Sequence, residues 1–229
     1  MSEAEWAIVA LSLKVALVAV IAILPLAYAL AWLLARRDFP GKVLLDAAVH
    51  LPLVVPPVVT GWLLLLAFGS NGPVGMKLAD WFGIELVFQW TGAALAAAIM
   101  ALPLMVRAMR LSIEAVDRRY IHAARTLGAS RWRAFATITL PLSLPGVLAG
   151  AVLGFARSLG EFGATITFVA NIPGRTQTLP LAIYSALQSP GGEAAVTRLA
   201  IIAVALSVAA LMLSEWVVRR AYGTRAHVV

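Results

Sequence analysis

The chain has 229 residues, is 62% hydrophobic and only 13% charged, and has a mean hydropathy of +0.91. A soluble domain of that length has no interior large enough for so much apolar surface, so the composition implies an all-α polytopic membrane protein. The absence of cysteine excludes disulfides, thiol catalysis and thiolate metal sites. The net charge of +7 does not point to nucleic acid, because the basic residues sit in loops beside apolar runs, where membrane topology accounts for them.

The N-terminal stretch MSEAEW is acidic and lacks the basic start and small-residue cleavage site of a secretion signal. The first apolar run is therefore expected to stay in the protein. That run, Val15 to Ala35 extended back toward Trp6, forms the first span. Lys14 lies near its outer end, where the amine is expected to reach the headgroups. Further spans are expected from about Ala48 to Phe68, Leu86 to Val106, Ala134 to Ala156 and Leu199 to Val218. Each is near the roughly 20 residues that cross a hydrocarbon core at about 1.5 Å per residue. Prolines punctuate them: Pro25, Pro52, Pro56, Pro57, Pro103, Pro141 and Pro145. The cluster LPLVVPPVV, Leu51 to Val59, reads either as a pore wall or hinge, or as ordinary packing geometry.

Lys and Arg set the direction. Arg36, Arg37 and Lys42 come after the first span, seven arginines from Arg107 to Arg133 after the third, and Arg219, Arg220 and Arg225 after the last. The opposite side holds Lys77, Arg175 and Arg198. The positive-inside rule then places the N-terminus outside and the C-terminus in the cytoplasm, as a short basic tail over 219–229. Five spans satisfy this; six require a further crossing within the region after the fourth.

The loop after the third span, about 107–137, is more than a connector. Asp117 suits the N-cap of a short helix that carries Ile121, Ala124, Leu127 and Gly128 on one face. Gly128 suits the left-handed residue that ends it. Ser130 suits the cap of a second helix that takes Trp132 and Phe135 into the next span. An ordered, small-faced helix on the surface of a membrane protein reads as a docking element for a partner.

Residues 158–192 form the least regular stretch. Phe162 to Gly174 is apolar but too short for a span, and Pro180, Pro190, Gly191 and Gly192 interrupt the remainder. Short outer or re-entrant helices are expected here, either lining a cavity or forming a packed cap. Arg157 and Glu161, four residues apart, share a helix face and can pair. The pair reads either as a structural bridge at the interface or as an anion-attracting group with its latch. His50, His122 and His227 are widely spaced, with no metal-ligand cluster. Gly41-Lys42 lacks the glycine spacing of a phosphate-binding loop. The chain is therefore expected to bind no nucleotide, and active transport would draw on ATP held by another subunit. No clustered acid, base or nucleophile favours a membrane-embedded enzyme, and no soluble output domain favours a receptor.

The loop resembles the cytoplasmic loop of type I ABC importer permeases, whose pattern is Glu-Ala-Ala, three residues, Gly, nine residues, Ile-x-Leu-Pro. Here Ala123-Ala124 is followed after three residues by Gly128, and after nine more by Ile138, Thr139, Leu140 and Pro141. His122 stands where the family usually has glutamate. The resemblance covers about Leu11 to Trp216, within a transmembrane domain placed at 7–218. FARSLGEFGATITFVANIPGRTQTLP, Phe155 to Pro180, and HLPLVVPPVVTGWLLL are similar to the oxyanion branch of the family, molybdate permeases most of all. Sulfate permeases share LGEFG and NIPG.

The resemblance implies a homodimer of permeases, two cytoplasmic ATPase subunits, an external or periplasmic oxyanion-binding protein and alternating access in the inner membrane. It implies that His122, Ala123, Ala124, Leu127 and Gly128 dock the ATPase. Arg157, Ser158, Glu161, Phe162 and Thr165 are the candidates for the path or its gate. Sulfate, tungstate or another oxyanion is the alternative cargo.

Overall fold

The computed structural model describes residues 2–223, and they are almost entirely helical. In chain order the elements are α1 (Glu3–Arg36), α2 (Lys42–Val54), α3 (Pro57–Phe68), α4 (Pro73–Phe82), α5 (Trp90–Glu114), α6 (Arg118–Thr126) and α7 (Arg131–Ala134). A π-helical turn (Phe135–Thr139) then leads into α8 (Leu140–Leu159), α9 (Gly163–Val169), α10 (Leu179–Leu187) and α11 (Glu193–Gly223). Among the described residues, four helical stretches are long and apolar enough to cross a membrane: α1, α5, the run Arg131–Leu159, and α11 over Glu193–Leu213. Counting the bent pair α2 and α3 as one span gives five. Of the tail expected over 219–229, residues 224–229 lie outside the described residues.

α1 begins earlier than the apolar run suggests because Ser2 caps it. The Ser2 hydroxyl accepts from the Glu5 amide at 3.2 Å, and the Ser2 amide donates to Glu5 Oε2 at 2.8 Å. This reciprocal box satisfies two otherwise orphaned donors. With 34 residues α1 measures about 51 Å at the helical rise, so it outreaches a hydrocarbon core of about 30 Å.

α5 is the centre of the bundle. α1 and α8 pack along it and against each other, and α11 lies on the far side of α8. α5 is buried along much of its length, with the small residues Ala93, Ala94, Ala96 and Ala97 followed by Met105, Met109 and Ile113. α8 meets α5 with Gly146, Gly150 and Gly154, one every four residues and so on one face. A Cβ on Gly146 would lie 2.2 Å from the Ser112 Cβ, and one on Gly154 would lie 2.6 Å from the Met105 sulfur. Lipid tails are as apolar as leucine, so such close backbone approach supplies the packing that holds membrane helices together.

The second span is broken at the proline cluster that the sequence offers as a hinge: α2 and α3 meet at 115°. Pro56 and Pro57 both lack an amide hydrogen, and Val55, held extended by the proline after it, has ψ 137°. Two adjacent missing donors end the helix where a single proline leaves it intact, as Pro25, Pro52, Pro103 and Pro145 do. Arg110 of α5 anchors α2 through Asp46 at 3.1 Å. α3 lies against α9, where a Cβ on Gly61 would stand 2.5 Å from the Ala164 carbonyl oxygen.

Residues 158–192 form short helices, as expected, in α9 and α10. Thr176 knots the connection between them: its hydroxyl donates to the Ala170 carbonyl and accepts from the Ile172 amide, both at 2.9 Å. Ser12 of α1 accepts from the Leu179 amide at 2.7 Å and so pins α10 to the first span. Glu5 and Arg198 join the starts of α1 and α11 at 2.9 Å. Lys14 is exposed, and its amine sits 3.7 Å from the centroid of a Trp90 ring. A cation over an indole face gains an electrostatic partner.

Gly146→Val is expected to lower the unfolding temperature of the detergent-solubilised protein, by an overpacking cost of about 1–3 kcal/mol. Removing the opposing side chain with Ser112→Gly in the same molecule should recover part of that loss. An unchanged melting curve for Gly146→Val would show that α5 and α8 do not meet here.

Candidate functional site: the surface helix loop and the Arg157–Glu161 pair

The loop between α5 and α8 folds from its own local signals. Asp117 Oδ1 accepts from the Arg119 amide at 2.8 Å and starts α6. At the other end Gly128 has φ +89°, and the Ala129 amide returns to the Ala124 carbonyl at 3.0 Å. This closes the helix through a left-handed residue, the geometry that favours glycine. Ser130 Oγ then accepts from the Arg133 amide at 3.1 Å and starts α7. From α7 the chain stays helical through to Leu159.

α6 buries no residue. His122, Ala123, Leu127 and Gly128 are exposed, Leu127 at 88%, while Ala124 and Ile121 are half-buried. The four residues expected on one face thus divide: Ile121 and Ala124 turn toward the protein, and Leu127 and Gly128 turn away. No atom lies within 4 Å of where a Gly128 Cβ would stand. An 88%-exposed leucine thus lies beside an open glycine, on a helix capped at both ends.

Phe135 ties this loop to the bundle. Its ring stacks on Trp132 at 5.3 Å between centroids and meets Trp32 and Tyr28 edge-on at 6.0 and 6.1 Å. The Tyr28 hydroxyl lies 2.9 Å from Ser143 Oγ on α8. Phe135 opens the π turn, whose wider bond runs from the Leu140 amide to the Phe135 carbonyl. Pro141 comes directly after; a proline ring crowds the carbonyl four residues before it, and the extra residue in the turn relieves that. The sequence pattern does not single out Tyr28 and Trp32. Their one-turn spacing on α1 is the available signal.

At the opposite end of α8 lies the second candidate. Arg157 Nη1 is 2.7 Å from Glu161 Oε2, and Glu161 is 3% exposed. The other carboxylate oxygen accepts from the Ala164 amide at 2.9 Å and so caps the start of α9. One carboxylate therefore joins the end of α8 to the start of α9. Ser158 and Thr165 are buried beside it, and Phe162 packs on Tyr184 with centroids 5.0 Å apart. The structure brings Arg157 and Glu161 together, but Ser158, Glu161 and Thr165 are closed off from solvent. Among the described residues no three His, Asp or Glu side chains converge on a metal-sized site.

Residues 8–222 match the family model for binding-protein-dependent transport system inner membrane components. The chain belongs to this family. It is 59% identical over 219 residues to the molybdenum transport system permease protein ModB of Escherichia coli K12, with 96% of each chain covered. The ModB protein of Haemophilus influenzae is also 59% identical, over 216 residues and 94% of each chain. The sulfate transport system permease protein CysT of Escherichia coli K12 is 42% identical over 159 residues, covering 69% of this chain and 57% of that one. Among solved structures, a bacterial ABC transporter that imports the acidic polysaccharide alginate superposes with a TM-score of 0.73 at 17% identity, covering 96% of this chain and 80% of that one. The shared architecture is that of an ABC importer transmembrane domain. The chain is a permease of the inner membrane and not an enzyme.

Because Glu161 both pairs with Arg157 and caps α9, Glu161→Ala is expected to destabilise the protein by about 1 kcal/mol more than Glu161→Gln, whose amide oxygen still accepts from Ala164. Equal melting temperatures for the two variants would remove the capping role.

Proposed function

We propose that this chain is the permease subunit of an ATP-driven importer that carries molybdate across the inner membrane by alternating access. The observation that carries the reading is near-full-length identity to ModB proteins, against a lower and partial identity to a sulfate permease. The working assembly is a homodimer of this chain with two cytoplasmic ATPase subunits and an external oxyanion-binding protein. ATP is bound and hydrolysed by the ATPase subunits.

In this assembly α6 is the coupling helix. His122, Ala123, Ala124, Leu127 and Gly128 form the face that enters a groove on the ATPase, and small residues allow the backbone to sit deep in it. Closure of the ATPase pair pulls on α6. The pull passes through α7 and the Phe135 cluster into α8 and α1, because these are joined by ring contacts and continuous helix. The far end of α8 carries Arg157. Its pairing with Glu161 latches α8 to α9, and release of the latch frees a guanidinium for the anion as the outer path opens. Ser158, Phe162 and Thr165 line that gate. A dianion is drawn to a partly desolvated arginine, and a loose, switchable site lets it leave again.

Two outcomes test the proposal. In membranes reconstituted with the ATPase and binding protein, hydrolysis should rise several-fold with molybdate-loaded binding protein and less with the sulfate-loaded form. Stimulation by sulfate alone would reassign the cargo. Leu127→Asp, at an 88%-exposed position with a negative φ, should insert normally yet lower ATP-driven uptake at least tenfold. Wild-type uptake in that variant would sink the coupling role of α6.

A further inference from the structure

A groove of about 930 Å³ runs between α1 and the loop, reaching Ile121 and Arg125 of α6 and lying apart from the Arg157–Glu161 pair. Its wall on α1 is a single stripe, Pro25, Tyr28, Ala29, Trp32, Leu33 and Arg36. The wall opposite comes from Trp132, Phe135 and Thr139. Its two ends differ in chemistry. Toward Pro25 it is lined by aliphatic and aromatic groups. At the loop end Arg36, Arg37, Arg125 and Arg131 converge, with no carboxylate among the lining residues.

The charges at that end are under-compensated. Arg36 directs one nitrogen to the carbonyls of Ile113 and Val116, at 2.7 and 2.9 Å, while its Nε is buried without a hydrogen-bond partner. Arg37 lies 5.6 Å from a Trp32 ring centroid and is exposed. No salt bridge engages Arg36, Arg37, Arg125 or Arg131 among the described residues. Four guanidiniums within one rim repel each other, and the rim favours an anion with several acceptor oxygens.

The length of the groove says what carries that anion. From Pro25 to Arg36 the helix rises roughly 16 Å, about half of a hydrocarbon core of about 30 Å. The apolar part therefore runs alongside a membrane-crossing helix over the depth of one leaflet, beyond the reach of a soluble protein. The groove opens sideways, since Pro25 and Ala29 are exposed and Trp132 is 75% exposed. We propose that this groove is a binding site for one anionic phospholipid, with an acyl chain along Tyr28, Trp32 and Phe135 and the phosphate held by Arg37, Arg125 and Arg131. The bound lipid neutralises the arginine rim and fills the space between α1 and the π turn, so it supports the aromatic contacts that join the loop to the bundle. The site is independent of which anion is transported.

The test is native mass spectrometry of the purified permease with its ATPase subunits, after equilibration with equal amounts of palmitoyl-oleoyl phosphatidylglycerol and phosphatidylcholine. The wild-type complex should retain phosphatidylglycerol at least fivefold over phosphatidylcholine. Arg37→Gln with Arg131→Gln, both exposed and away from the packed core, should abolish that preference while the complex stays assembled. Arg175→Gln, a basic residue outside the groove, should keep it. As a second measure, Ala29→Phe should reduce retention by occupying the apolar part without touching a charge. Equal retention of the two lipids by the wild type would overturn the site, as would a preference indifferent to the Arg37 and Arg131 changes. Retention by the permease alone that vanishes when the ATPase is bound would assign the rim to the ATPase instead.

Discussion

The seating of α8 on α5 is the contact on which the other positions depend. Three glycines on one face of α8 let its backbone approach Ser112, Met109 and Met105 more closely than any side chain would permit. In a bilayer there is little hydrophobic force between helices, so the depth of this contact counts for more than its apolar character. α1 then fills the cleft that α5 and α8 form together, and α11 closes the other side of α8. Both candidate sites hang on the ends of the same helix. At one end α8 is continuous with the loop through the π turn, and at the other it finishes two residues before Glu161. A displacement of the loop therefore has a stiff route to the Arg157–Glu161 pair, with no flexible connector between them.

Several polar side chains within the bundle join elements that are distant in sequence or close an irregular turn. Ser12 takes the Leu179 amide, Thr176 knots the turn before α10, Arg36 reaches two carbonyls at the end of α5, and Glu161 joins α8 to α9. A backbone amide or carbonyl at membrane depth costs several kcal/mol when unpaired. Side chains that supply the missing partner thus decide where irregular backbone can exist at all. The short helices α9 and α10 are possible because Glu161, Thr176 and Ser12 satisfy the chain between and beside them.

The prolines show how the same residue acts differently by context. Pro25, Pro52, Pro103 and Pro145 remain inside helices, each removing a single hydrogen bond, and Pro103 and Pro145 are buried against neighbouring helices. Pro141 is accommodated by widening the preceding turn to π geometry. Pro56 and Pro57 together end α2 and turn the chain by 115°. The result directs α3 onto α9, the segment just after the Arg157–Glu161 pair, and leaves an apolar face of α2 with Val43, Leu44 and Val54 exposed.

Local chemistry made much of this protein legible from its sequence. Apolar run length marked the membrane-crossing segments, since the thickness of a bilayer is a nearly constant ruler. Asp117, Gly128 and Ser130 marked the ends of α6 and the start of α7, because caps act over three or four residues. The four-residue spacing of Arg157 and Glu161 announced their pairing. The proline cluster offered a hinge but not its 115° angle; the indole over Lys14, the Tyr28–Trp32–Phe135 cluster and the split of the α6 face were not legible. Each depends on which helix lies alongside, a matter of contacts between residues tens of positions apart. Burial of Glu161, and with it the change from a surface bridge to a closed joint between α8 and α9, was likewise decided by tertiary packing.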